Sequence, residues 1–289
     1  MNAASNKLTP YLFMAPALVL FLGFLVYPMM HSLVVSLTDW DGLSATWHFV
    51  GLSNYVTIFT DPASRAALSN TLIWSAVMVT VPTILGLGMA VTLNQKLRGR
   101  TFFRSVFYGP TILPLSAVAL IWVWLYNPHF GLINEVLRGI GLKSWAKGWL
   151  SNFDTALPAV LVTAIWHGAG FPMLLYLAGL QGVSPSQYEA AALDGAGPWR
   201  RFIHVTLPGL KETHIVVFTL AIIGSVRSFE LIYAMTYGGP GRSTQVLATW
   251  MYFNIFQYNQ AGAGSAIAWL IAAISLAVTI PYIRLMSRR

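Results

Sequence analysis

Residues 184–208 read Ser184-Pro-Ser-Gln-Tyr-Glu-Ala-Ala-Ala-Leu-Asp-Gly-Ala-Gly-Pro-Trp-Arg-Arg-Phe-Ile-His-Val-Thr-Leu-Pro208, a polar island between two long apolar stretches. Local chemistry predicts two short helices here. Ser184 suits an N-cap, Pro185 the first turn, and Gln187 completes a capping box. Residues 187–194 favour helix, with three alanines in a row, and Gly195 supplies the backbone freedom to end it. A second helix opens after Gly197, with Pro198 in its first turn. It is expected to stop near Leu207, because Pro208 disfavours helix at the residue before it. The product is a stiff helix-bend-helix with a small-residue face, suited to entering a cleft on another protein. An ordinary solvated helical loop is the competing reading.

Of the 289 residues, 56% are hydrophobic and only 9% charged, against roughly 25% charged in soluble domains. Mean hydropathy is +0.63, and the chain reads as an integral membrane protein. Six segments reach the roughly 20 apolar residues that a helical span needs: 11–37, 71–93, 105–126, 156–180, 213–237 and 264–286. They do not alternate as β-barrel strands would. The expected fold class is therefore all-α, six transmembrane helices in one domain over residues 1–289, with the loop at 184–208. The first segment is too long for a signal-peptide core and no small-x-small cleavage site follows it, so it is read as a retained span.

Lys7, Lys96, Arg98, Arg100, Arg104, Arg200, Arg201, Lys211, Arg284, Arg288 and Arg289 fall on one side, eleven of the 17 cations. By the positive-inside rule that side is cytoplasmic, with both termini and the 184–208 loop. Residues 131–150 are read as a weakly amphipathic helix on the outer surface, with Ile133, Val136, Leu137 and Ile140 on one side. The absence of cysteine excludes disulfides, zinc-thiolate sites and thiol chemistry. No cluster suggests a metal. The net charge of +8 does not point to nucleic acid, because no basic run is interleaved with stacking aromatics. A G-x-x-x-x-G-K-[ST] phosphate loop is also missing, so the chain is expected to be no enzyme.

Glu189-Ala190-Ala191, Gly195 and Val205-Thr206-Leu207-Pro208 fall in the order and spacing of the EAA loop. On these residues the chain resembles the permeases of binding-protein-dependent ABC importers. Val205 stands where an isoleucine is usual. Further stretches resemble the carbohydrate-uptake permeases of the maltose and glycerol-phosphate type over nearly the whole length: Tyr27-Pro28, Leu37-Thr38-Asp39-Trp40, Phe49 to Tyr55, Asn127-Pro128 and Thr236 to Pro240. The resemblance implies an inner-membrane location, a second and usually non-identical permease, two ATPase subunits that bind ATP and Mg, and an external solute-binding protein. This chain would then carry no cofactor, and its partners would be those subunits, a sugar and membrane lipid. Glu189 would bind polar groups in the ATPase cleft, Ala190 and Ala191 would allow close approach, Gly195 would set the bend, and Leu207-Pro208 would close the motif.

For a pathway, Trp166-His-Gly-Ala-Gly-Phe-Pro172 loosens the fourth span, which is tolerable only beside protein or an aqueous cavity. By the resemblance, His167, Gly168 and Phe171 face Ser225, Ser228 and Phe229 across it. Hydroxyls and imidazole would bond sugar hydroxyls, and an aromatic ring would cover the apolar sugar face. Helix packing explains the same small residues and serines equally simply. Arg227 and Glu230 are the one charged pair within a span, three residues apart and expected on one helix face. They read either as pathway residues or as a neutralised packing pair. A glycerol phosphate or other polar solute remains an alternative cargo, and a stand-alone secondary transporter an alternative mechanism. The latter leaves the EAA-like loop without a role.

Overall fold

The computed structural model describes residues 9–95 and 97–287; the cations expected at Lys7, Lys96, Arg288 and Arg289 lie outside them. Among the described residues the only β-pairing is one isolated bridge, Thr38 to Phe49. The helices are α1 (Thr9–Phe21), α2 (Tyr27–Val35), α3 (Ser53–Thr60), α4 (Pro62–Leu93), α5 (Arg100–Ile112), α6 (Leu115–Leu125), α7 (Leu132–Gly139), α8 (Phe153–Gly168) and α9 (Gly170–Gln181). They continue as α10 (Pro185–Leu193), α11 (Pro198–Arg201), α12 (Leu207–Gly209), α13 (Lys211–Val226), α14 (Glu230–Thr236), α15 (Leu247–Phe256) and α16 (Ala261–Ser287). By length and composition, four helical stretches can cross a membrane. The number reaches six when each sharply bent pair counts as one span.

The chain forms two compact units, Met1–Asp61 with Trp250–Leu270, and Pro62–Thr249 with Ile271–Arg289. In the first, the Asn54 amide donates to the carbonyls of Ser36 (2.9 Å) and Thr38 (2.8 Å). The Tyr55 hydroxyl meets Ser36 Oγ at 2.8 Å, and the Gly262 N–H reaches the Trp40 carbonyl. The apolar side chains of α1 point outward from this unit, with Phe13 83% exposed. Such a face is stable in lipid and not in water.

In the second unit α4 lies against α9. A Cβ on Gly86 would stand 2.7 Å from Pro172 Cβ and 2.8 Å from the Met173 nitrogen, so the helices approach backbone to backbone. Small residues at such seams replace the hydrophobic drive that lipid cannot supply. Ala90, Leu93, Met173, Tyr176, Leu210 and Val217 fill the core beside that seam.

Four expectations change. The third span is bent by 98° between α5 and α6, because Pro114 lacks an N–H and pushes Leu113 into an extended conformation, ψ 139°. The fifth segment breaks between α13 and α14, and α15 follows where no helix was expected. In the outer segment α7 is only eight residues long. Its buried member is Asn134, which receives the Trp149 indole N–H at 2.8 Å, whereas Val136 and Ile140 are exposed.

Two π-turns, Leu22–Val26 and Phe202–Thr206, precede Tyr27-Pro28 and Leu207-Pro208 at the same offset. In each, the residue before proline donates its N–H five residues back, Tyr27 to Leu22 and Leu207 to Phe202. The wider turn carries the helix past a ring that would otherwise clash with the carbonyl four residues earlier. The second helix of the loop therefore does not stop at Leu207. It runs to Gly209 and turns by 70° into α13 at Leu210.

Candidate functional site

The 184–208 loop folds as two helices about a glycine. Gly195 has φ +73°; its N–H donates to the Ala192 carbonyl (3.1 Å) and the Ala196 N–H to that of Ala191 (2.9 Å). That pair of bonds closes a helix through a left-handed residue, where glycine avoids the Cβ penalty. Pro185 and Pro198 occupy the first turns of α10 and α11. The capping box does not form: Ser184 holds the N-cap position, but its hydroxyl meets Ser186 Oγ at 2.7 Å instead. The Tyr188 and Thr206 hydroxyls, 3.0 Å apart, tie α10 to the π-turn.

Glu189, Ala190, Gly195 and Pro208 are exposed, Ala191 and Leu207 half-buried. Leu193 (89%) and Trp199 (70%) stand out beside them. An acid flanked by methyl groups thus stands beside two large exposed apolar side chains.

The second feature is a cavity of about 220 Å³ bounded by α4, α9 and α13. Gly168, Phe171, Ser225 and Ser228 line it, as expected. Met78, Pro82 and Thr83 of α4 also line it and were missed. The signal was present: Pro82 has no N–H to give the Met78 carbonyl, just as Pro172 has none for Gly168. Thr83 Oγ1, buried beside the cavity, has no hydrogen-bond partner. Ser225 donates to the Ile222 carbonyl at 2.9 Å. Ser228 accepts from Trp74 Nε1 at 2.8 Å and donates to Gly224 at 3.3 Å. Leu175 and Leu220 give the cavity an apolar wall. The lining is mostly apolar, with three hydroxyl residues, Thr83, Ser225 and Ser228, and no charged side chain, a composition that suits an uncharged ligand.

Four expected pathway residues lie elsewhere. The His167 imidazole donates from Nε2 to the Leu113 carbonyl (3.1 Å), while the Thr111 hydroxyl donates to the carbonyl of His167 (2.8 Å). His167 thus pins the α5–α6 bend, satisfying a carbonyl that the break strips of its helical partner. Arg227 and Glu230 form no ion pair, because the helix is interrupted between them at Ser228 and Phe229, and both are exposed. The Phe229 ring stacks on Tyr233, 4.9 Å between centroids. His214 sits in α13 with Nδ1 2.8 Å from the Tyr176 hydroxyl.

Loop and cavity share two helices. α9 carries Phe171 and Leu175 and runs into the loop, and α13 leaves the loop carrying Ser225. The loop is thus continuous in the chain with two of the cavity's walls.

The family model described as "binding-protein-dependent transport system inner membrane component" matches residues 82–288. The chain is 35% identical over 284 residues to the sulfoquinovosyl glycerol transport system permease protein of Agrobacterium fabrum, covering 97% of this chain and 91% of that one. It is 35% identical over 274 residues to the trehalose/maltose transport system permease protein of Thermococcus litoralis, covering 95% and 92%. Its fold matches, with a TM-score of 0.85, a chain of the crystal structure of a bacterial ABC transporter involved in the import of the acidic polysaccharide alginate; identity is 24%, and 98% and 96% of the two chains are covered. The chain therefore belongs to the inner membrane components of binding-protein-dependent transport systems: it is a multi-pass ABC importer permease, and ATP is hydrolysed by a separate subunit.

Proposed function

We propose that this permease moves a sugar, as an oligosaccharide or a related derivative, from an external solute-binding protein to the cytoplasm. The observation that carries this reading is the 220 Å³ cavity between α4, α9 and α13, whose mostly apolar lining includes Phe171 and the hydroxyl residues Thr83, Ser225 and Ser228. Sugar rings present hydroxyl donors around an apolar face, and this lining answers both. The sugar-specific names of the relatives support the same cargo.

In this reading both termini and the loop face the cytoplasm, and the two units act as one permease domain. Two ATPase subunits, which hold the ATP and Mg, grip the loop. Glu189, Ala190 and Ala191 enter the cleft, and Gly195, Leu207 and Pro208 fix the angle. A second, non-identical permease completes the pathway. Closure of the ATPases drives α10–α11, and α9 and α13 pass the motion to the cavity, giving alternating access. Arg227, Phe229 and Glu230, at the break between α13 and α14, then face the partner permease or the pathway.

The test is uptake of a labelled saccharide panel by proteoliposomes holding the assembled transporter, with wild type and Gly168→Trp. A saccharide that wild type imports and the cavity-filling variant does not supports the reading. Import of no saccharide, with another solute class carried, overturns it.

A further inference from the structure

We propose that a second, cytoplasm-facing cleft beneath the coupling loop binds a phosphate oxyanion and so sets the stance of that loop. The cleft is about 490 Å³, lies between the end of α4 and the loop helices, and shares no residue with the sugar cavity. Asn94, Gln95, Tyr188, Arg201, Phe202 and Thr206 line it.

Arg201 carries a guanidinium that is charged at any physiological pH, yet its Nε is shut off from solvent and has no hydrogen-bond partner among the described residues. Among the described residues no carboxylate pairs with it. The side chain as a whole is half-buried and lines the cleft, and an anion there would offset the cost of a charged donor poorly supplied with partners. Asn94 and Gln95, both exposed, line the same cleft with carboxamides able to donate, and among the described residues neither makes a side-chain hydrogen bond. The Tyr188 and Thr206 hydroxyls satisfy each other and still have lone pairs and rotational freedom at the rim. No acidic side chain lines the cleft.

A planar guanidinium flanked by amide donors matches the several oxygens of a phosphate better than a single-point acceptor. The volume exceeds what a lone carboxylate side chain needs. Two sources share this chemistry: the headgroup of an anionic phospholipid, reached from the cytoplasmic end of α4, and a cytosolic phosphate ester. Either would bridge Arg201 on α11 to Asn94 and Gln95 at the end of α4. The coupling helices would then be fastened to the membrane body by an ion that can come and go. This goes beyond the importer reading and does not depend on the sugar assignment.

The test uses the whole transporter with its partner subunits, in nanodiscs of phosphatidylcholine alone, with added phosphatidylglycerol, or in phosphatidylcholine with glucose 6-phosphate at matched ionic strength. Thermal unfolding is followed for wild type, Arg201→Gln, Arg201→Lys, Asn94→Leu and, as an exposed neighbour outside the cleft, Arg200→Gln. At about 100 times Kd, binding should raise Tm by about 3 °C or more. The rise should vanish in Arg201→Gln, shrink in Asn94→Leu and Arg201→Lys, and persist in Arg200→Gln. A shift with phosphatidylglycerol alone assigns the headgroup, and one with glucose 6-phosphate in phosphatidylcholine the cytosolic ester. No shift in wild type with either probe overturns the proposal. So does equal loss in Arg200→Gln and Arg201→Gln, which would mean diffuse charge attraction. If Arg201→Gln fails to assemble, Asn94→Leu gives the same reading.

Discussion

The coupling loop and the sugar cavity use the same two helices but are encoded in opposite ways. The loop is one contiguous run, residues 184–208, and each of its bends is dictated by a residue at the bend: Pro185, Gly195, Pro198. The cavity gathers residues from Met78 to Ser228. Its lining is mostly apolar, and two prolines in it, Pro82 and Pro172, deny the Met78 and Gly168 carbonyls their usual helical donor. A surface that docks needs a local shape, whereas a cavity needs several helices that fail to close.

Substitutions that hit only one region test this division. The largest effect is expected at the loop. Glu189→Lys should release the ATPase on purification and abolish coupled uptake, while saccharide protection of the cavity against labelling at Ser225→Cys remains. Gly195→Val adds about 1–2 kcal/mol of left-handed strain and misdirects α11, with the same outcome. Loss of cavity protection in either variant would show that the two regions are not separable.

Next comes Gly86→Leu, which forces a side chain into Pro172 and Met173. Overpacking of this kind costs about 1–3 kcal/mol. It should lower Tm and collapse the cavity, yet leave α10 and α11 competent to bind the ATPase. A smaller effect is expected for Pro82→Ala. It returns an N–H to the Met78 carbonyl, and if that oxygen serves the cargo, uptake should fall about tenfold, the equivalent of one hydrogen bond of about 1.4 kcal/mol. Unchanged uptake would reduce the proline to a packing residue.

The smallest effect asks whether local encoding extends to the turn at residues 41–44. Asp41 accepts from the Ser44 hydroxyl and from the N–H groups of Ser44 and Leu43, which hold its carboxyl down to about 2. Because the folded value lies below the ordinary 3.8, this turn is supported above about pH 4 and loses support as pH falls through about 2. Amide exchange at Leu43 and Ser44, corrected for intrinsic rates, should lose protection over that window. Protection that does not change with pH would place the turn's stability elsewhere.

The same contrast explains what was legible in the sequence. Composition and run length gave the helical membrane class, and turn chemistry gave α10 and α11 almost to the residue. The third span reads from the sequence as one segment, 105–126, although Pro114 lies within it. Its bend brings the Leu113 carbonyl to His167, 54 positions away, a contact that no local pattern announces. Arg227 and Glu230 were paired on an unbroken helix, and the break at Ser228 and Phe229 removed the geometry for pairing. Met78, Pro82 and Thr83 were overlooked because the proline argument was applied to the fourth span alone. Pro208 predicts a helix end near Leu207, and a wider turn carries the helix two residues further, to Gly209.

That wider turn makes the length of the segment as binding as its composition. A π-turn holds one residue more than an α-turn, and each residue rotates a helix by about 100°. Deleting a single position between Phe202 and Thr206 would leave every side chain chemically intact. It would swing α10 and α11 around the axis by roughly that angle, and drive the Pro208 ring into the backbone. Single-residue deletion scanning should find this stretch intolerant even where every point substitution is accepted.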